Sequence, residues 1–75
     1  MTTENLSRSN SSVLPPLTPA NIRSLRQHLA MTQVEFGALV HSSGRAAQEW
    51  EAGRREMPLG LWELALIKTG MVELG

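Results

Sequence analysis

The 75-residue chain contains no cysteine, no aspartate and no tyrosine. Without cysteine there can be no disulfide framework and no thiolate metal site, which suits a reducing compartment. His41 precedes Ser42 and Ser43, but a catalytic triad also needs a third group that orients the imidazole. A histidine at the end of a short helix is better explained as a polar C-terminal residue. We therefore expect no enzymatic activity, no metal site and no cofactor.

The chain also lacks an excess of charge and a long apolar run. Seven Lys and Arg balance seven acidic residues, so any binding of nucleic acid must come from a local arrangement of charge. The first ten residues lack the basic and apolar segments of a signal peptide. Glu63 and Lys68 interrupt the C-terminal apolar run, which falls short of the roughly 20 apolar residues that span a bilayer. We expect a cytoplasmic protein without a membrane segment.

The composition divides the chain into an N-terminal arm, residues 1–17, and one small domain, residues 18–75. Residues 1–12 are rich in Ser, Thr and Asn and are expected to be flexible. Residues 13–17 read Val-Leu-Pro-Pro-Leu, and their prolines favour an extended backbone. The arm is either a linker with some hydrophobic contact to the domain or an element that reaches a partner or a DNA groove.

The domain is predicted to open with a helix. Thr18 is its expected N-cap and Pro19 its first helical residue. Ile22, Leu25 and Leu29 recur at helical spacing and mark the face that packs inward.

Residues 32–51 predict two short helices joined by a tight turn. Thr32 and Glu35 form a capping box at the start of the first helix, and Ser43 is the expected N-cap of the second. The inward residues of the first helix are expected to be Val34, Phe36, Leu39 and Val40. The second helix packs inward through Ala47 and Trp50. Its outward residues are expected to be Arg45, Ala46, Gln48 and Glu49. The small residues that allow close approach are Gly37, Ala38, Ala46 and Ala47.

The final predicted helix, Leu59–Lys68, is apolar nearly all round. One stripe, expected to complete the core, is Leu61, Leu64 and Ala65. A second stripe is Leu59, Trp62 and Leu66. A surface helix of a monomer should not carry two such stripes. We expect the second stripe either to form a homodimer interface or to be covered by Leu14 and Leu17. The predicted fold is all-α, a compact bundle of four helices, or five, that contains a helix-turn-helix.

The two middle helices resemble the Cro/cI-type (XRE-family) helix-turn-helix. The residues that carry the likeness are Gln33, Glu35, Phe36 and Leu39, then Ser43, Arg45, Gln48 and the run Trp50-Glu51-Ala52-Gly53-Arg54. The likeness covers residues 18–69, and its ending is similar to small phage and plasmid regulators. It implies a transcriptional regulator of double-stranded DNA, a repressor or autorepressor of a phage or plasmid promoter. It also implies that residues 43–51 enter the major groove, that Arg26 pairs with Glu51, and that Gln33 contacts the DNA backbone.

The residue types on the second helix suit the edges of base pairs. Arg45 could bind O6 and N7 of guanine, Gln48 could bind adenine, Glu49 could accept from cytosine N4, and Ala46 could touch a thymine methyl. Ser43, Arg54 and Arg55 would contact flanking phosphates. The alternative interpretation is that these side chains form an ordinary solvated helix face and a charged loop and contact no DNA.

Two kinds of partner are consistent with the sequence. One domain carries few positive charges, so we expect a homodimer that reads a palindromic operator with half-sites about one helical turn apart. The alternative is an antitoxin-like or adaptor module whose main partner is another protein, docked on the arm or on the last helix.

Overall fold

A computed structural model describes residues 15–71, which contain four helices. They are α1 (Pro19–His28), α2 (Gln33–Leu39), α3 (Gly44–Ala52) and α4 (Leu59–Lys68). No strand occurs between residues 15 and 71, so the predicted all-α bundle of four helices is confirmed. The predictions for residues 1–14, including the flexible tail and the packing of Leu14, and those for residues 72–75 lie outside the described residues.

Side-chain caps define where three of the helices begin. The Thr18 hydroxyl accepts from the backbone N–H of Asn21 at 3.1 Å, and Pro19 follows as the first helical residue. Thr32 and Glu35 form the predicted capping box, with hydrogen bonds of 3.1 and 2.8 Å. The Ser43 hydroxyl accepts from the N–H of Ala46 at 3.0 Å. These bonds satisfy amide groups that a helix start leaves without partners, and all three predicted caps are therefore confirmed.

One hydrophobic core joins the four helices. Its buried residues are Ile22, Leu25, Phe36, Val40, Ala47, Trp50, Met57, Trp62, Ala65 and Leu66. Met57, which lies in the loop before α4, is among them, whereas Leu61 and Leu64 only pack against its edge. No helix within residues 15–71 is long and apolar enough to cross a bilayer.

The turn between α2 and α3 depends on two features of its backbone. The Gly37 carbonyl accepts from the N–H groups of Val40 and Ser42, at 3.1 and 2.7 Å, which closes the end of α2. His41 then takes a left-handed conformation with φ of 61°. Non-glycine residues seldom adopt this conformation, and the sequence did not indicate it at His41. α2 and α3 therefore form a compact pair, as the helix-turn-helix prediction requires.

The second apolar stripe of α4 is largely inside the chain, which favours the predicted alternative of cover by the arm over that of a dimer interface. Trp62 and Leu66 are each 1% exposed, and only Leu59, at 58%, faces solvent. Part of the cover is the predicted arm: the indole N–H of Trp62 donates to the carbonyl of Pro15 at 2.9 Å, and Leu17 packs against the core. Trp62 and Leu66 therefore cannot form a dimer interface unless the domain opens.

Candidate nucleic-acid interface

A buried carboxylate joins three of the helices. The Glu51 side chain on α3 is 2% exposed. It accepts from Nε and Nη2 of Arg26 on α1, at 2.6 and 3.0 Å, and from Nε2 of Gln33 on α2, at 3.3 Å. Arg23 lies 3.6 Å from the same carboxylate. The ion pair of Arg26 with Glu51 is confirmed, and it sets where α3 lies relative to α1 and α2.

The surroundings of Glu51 keep it ionised. Burial alone would raise the pKa of this carboxyl, but hydrogen bonds from Arg26 and Gln33, together with the charges of Arg26 and Arg23, outweigh burial and hold the pKa below its ordinary 4.5. The hydrogen bond to Glu51 raises the pKa of the Arg26 guanidinium, against the opposing effect of its own burial. Both partners therefore carry full charge at neutral pH.

This lowered pKa predicts a loss of stability in acid. The folded protein binds the Glu51 proton less readily than the unfolded chain does. The ionised Glu51 therefore adds its full amount to the free energy of unfolding well above pH 4.5, and this amount falls as the pH drops through 4.5 toward the folded pKa. We expect the free energy of unfolding of the wild type to fall between pH 6 and pH 3, and Glu51→Gln to show a flatter profile from a lower starting value. Urea unfolding at several pH values measures this difference.

The control for the acid profile is Glu56→Gln, because Glu56 is an exposed carboxylate in the loop before α4. That variant should keep the wild-type profile. An unchanged profile in Glu51→Gln would contradict the assignment of acid sensitivity to the buried carboxylate.

The outward face of α3 presents Arg45 and Gln48. Both are exposed, and the Arg45 side chain is 80% accessible. Ala47 and Trp50 on the opposite face are 0% and 3% exposed. One face of α3 is thus packed against the domain, while Arg45 and Gln48 on the other face are accessible to a partner.

Glu49 and Ala46 are less accessible than predicted. The Glu49 side chain is 18% exposed, and its carboxylate lies 3.5 Å from Nε of Arg45 and 3.4 Å from Nη1 of Arg55. Arg45 comes from one turn earlier on α3 and Arg55 from the loop that follows, so both arginines converge on the same acid. Ala46 is half-buried and packs against the core. Exposed ion pairs of this kind add little stability, but here they hold two arginines beside one helix face.

Two predicted phosphate contacts already make hydrogen bonds within the domain. The Ser43 hydroxyl oxygen accepts from Ala46, and one N–H of the Gln33 carboxamide donates to Glu51. A hydroxyl retains its hydrogen for donation, and a carboxamide has a second N–H. Both side chains therefore keep one donor for an outside acceptor.

The exit from α3 carries the other two predicted phosphate contacts. Gly53 ends the helix in the left-handed conformation, with φ of 76°, as its position predicted. The exposed Arg54 and Arg55 follow it. They border a groove of about 310 Å³ whose lining also includes Pro19 and Trp50. Positive charge is thus concentrated at the C-terminal end of α3, although Glu56 follows at once.

Val34 departs from its predicted position. It was expected to face inward with Phe36 and Val40, but it is 68% exposed whereas both of those residues are fully buried. Two helical positions turn the chain by about 200°, so a residue two before Phe36 lies on the opposite side of α2. Val34 instead lies against Gly44 at the start of α3. The two residues are so close that a Cβ on Gly44 would lie 2.7 Å from Cγ2 of Val34.

Within residues 15–71, no group of His, Asp or Glu side chains could hold a metal ion. A comparison with models of protein families and with curated protein sequences finds no match for the chain. The function therefore has to be inferred from the arrangement of α2, α3 and the loop that follows α3.

Proposed function

We propose that the chain binds double-stranded DNA in a sequence-specific manner, with α3 in the major groove. The observation that supports this most is the division of α3 into two faces. Ala47, Trp50 and Glu51 hold one face to the domain, while Arg45 and Gln48 are exposed on the other. The major groove is about 12 Å wide and admits a single α-helix presented in this manner.

In this proposal, two side chains of α3 read base edges directly. The planar fork of Arg45 fits O6 and N7 of guanine, and the carboxamide of Gln48 fits N6 and N7 of adenine. Glu49 remains a candidate for cytosine N4 only after release from its two arginines, so its first role is to hold Arg45 and Arg55 in place. Ala46 presents only part of its methyl surface to a thymine.

Phosphate contacts would flank the base contacts. Ser43 and Gln33 each retain a donor at the start of the motif, and Arg54 and Arg55 lie at the other end of α3. Such contacts set the register of a protein on the duplex and carry most of its affinity. They compensate locally for a chain whose formal net charge is zero.

A homodimer on a palindromic operator is part of the proposal, because a single domain offers few cations to the duplex. Of the three residues predicted for its interface, only Leu59 is exposed enough to take part. Light scattering on the purified chain distinguishes a dimer from a monomer, and Leu59→Glu should convert a dimer that uses this face into a monomer.

The biological role that we propose is transcriptional repression in the cytoplasm, through occupation of an operator. The support for this role is the resemblance of residues 18–69 to the XRE family, including its phage and plasmid regulators. The exposed apolar residues Leu59 and Met71 favour a second candidate, an antitoxin-like or adaptor module whose main partner is another protein. A stable complex with the product of a neighbouring gene, without any DNA site, would favour that second candidate.

Selection of duplexes from a random library at low salt tests the main proposal. Arg45→Ala should relax the preference at one base position, at a cost of about 1–3 kcal/mol for the preferred base. Arg54→Ala should instead weaken binding to all sequences evenly and lower the salt slope of binding by about one unit. Gel-shift titrations over a range of salt concentrations measure both effects.

Each variant in this test is the control for the other. Both arginines are exposed, so circular dichroism should show wild-type folding in the two variants. Failure of the wild type to enrich any duplex would refute the proposal.

A further inference from the structure

An exposed apolar side chain lies at the border between α2 and α3. Val34 is 68% exposed, the largest value among the exposed large hydrophobic residues at 34, 59 and 71. A Cβ on Gly44 would lie 2.7 Å from Cγ2 and 3.0 Å from Cα of Val34. Val34 therefore rests on the first residue of α3, immediately before Arg45.

The core of the domain does not account for this valine. α2 has seven residues, and its buried side chain Phe36 lies about 200° around the helix from Val34. A branched residue is also a weaker helix former than many polar residues that could occupy an exposed position. The absence of a side chain at Gly44 makes room for Val34, because a Cβ at residue 44 would collide with the valine. The result is an exposed apolar side chain next to Arg45, the single arginine of α3.

We infer that Val34 is a specificity determinant that contacts the C5-methyl group of a thymine beside the base bound by Arg45. This inference rests on the proposed function. The thymine methyl is the apolar group that base edges present in the major groove, and apolar side-chain groups, such as those of Ala, Thr and Phe, contact it. Ala46, to which the sequence assigned this role, is half-buried and offers less surface. Val34 supplies a branched side chain with two methyl groups at the same border.

The test uses duplexes selected by the wild-type chain, with each thymine replaced in turn by deoxyuridine, which lacks only the methyl group. At one thymine per half-site, this replacement should weaken wild-type binding about fourfold, the ratio that burial of one methyl-sized group is worth. In Val34→Ala the same replacement should have no effect, while Val34→Thr, which keeps one methyl, should retain part of it. Fluorescence anisotropy titrations give the ratios.

Met71→Ala is the matched control, because it removes exposed apolar surface beyond the end of α4 rather than from the border of α3. It should keep the wild-type response to deoxyuridine at every position. Equal deoxyuridine profiles for the wild type and Val34→Ala would overturn this inference and leave the proposed function standing. A selected consensus without thymine would have the same effect, whereas absence of any selected duplex would remove both proposals.

Discussion

Arg26→Leu is expected to cost the domain about 3–5 kcal/mol, the usual penalty when one partner of a buried ion pair is lost. The reason is the state of the acid left behind. Glu51 would stay 2% exposed without its two strongest hydrogen bonds, and only Gln33 and the more distant Arg23 would remain near it. Native proteins unfold with roughly 5–15 kcal/mol in total, so a large fraction of the stability would be lost.

Arg23→Leu is the matched control for this prediction. Arg23 approaches the same carboxylate at 3.6 Å, but its side chain is 53% exposed and its charge is largely screened by solvent. We expect its replacement to cost less than about 1 kcal/mol. Thermal unfolding followed by circular dichroism should show a drop of at least about 12 °C for Arg26→Leu and a small one for Arg23→Leu. Similar drops in melting temperature for the two variants would show that burial does not make the pair of Arg26 with Glu51 stronger than the exposed contact of Arg23.

Gly37→Ala is expected to destabilise the domain by about 2 kcal/mol or more, even though alanine is the better helix former. A Cβ at this position would overlap the backbone carbonyl oxygen of Ser43 and lie 2.7 Å from its carbonyl carbon. Backbone atoms cannot rotate away as a flexible side chain can. The two helices would have to separate at the turn, which would also disturb the Gly37 carbonyl that accepts from Val40 and Ser42.

Gly60→Ala provides a control of opposite sign. Gly60 lies in the first turn of a helix, α4, but a Cβ there would meet nothing within 4 Å. This variant should be more stable than the wild type by about 0.5–1 kcal/mol, because alanine loses less conformational entropy on folding. Melting temperatures of the two variants should therefore move in opposite directions. A stable Gly37→Ala protein would mean that the turn can open without loss of packing.

Local signals in the sequence predicted the helix ends well. Thr18, Thr32 and Ser43 cap the helices that they were expected to cap, and Gly53 ends α3 in the left-handed conformation. These features depend on a few adjacent residues, so a single sequence contains the information. The pairing of Arg26 with Glu51 was also predicted, through the family resemblance.

Features that depend on how the helices pack were harder to predict. α4 is apolar on nearly every side, so periodicity could not show that Trp62 and Leu66, rather than Leu61 and Leu64, enter the core. Val34 is a different case, because helical spacing from the buried Phe36 already places it on the outside of α2, and its prediction as an inward residue was wrong on that ground. The two arginines that meet at Glu49 come from a helix and a loop, and their convergence requires the turn at Gly53.

The convergence of α1, α2 and α3 on one carboxylate also affects the entropy of association. Because Arg26 and Gln33 fix the end of α3 from two directions, the inclination of that helix would be preorganised for the proposed binding of a duplex. Binding would then need to immobilise little more than the rotamers of the outward side chains, at about 0.5–1.5 kcal/mol for each long side chain. In a small domain with balanced charge, little of the free energy of the few binding contacts would then be lost to ordering of the backbone.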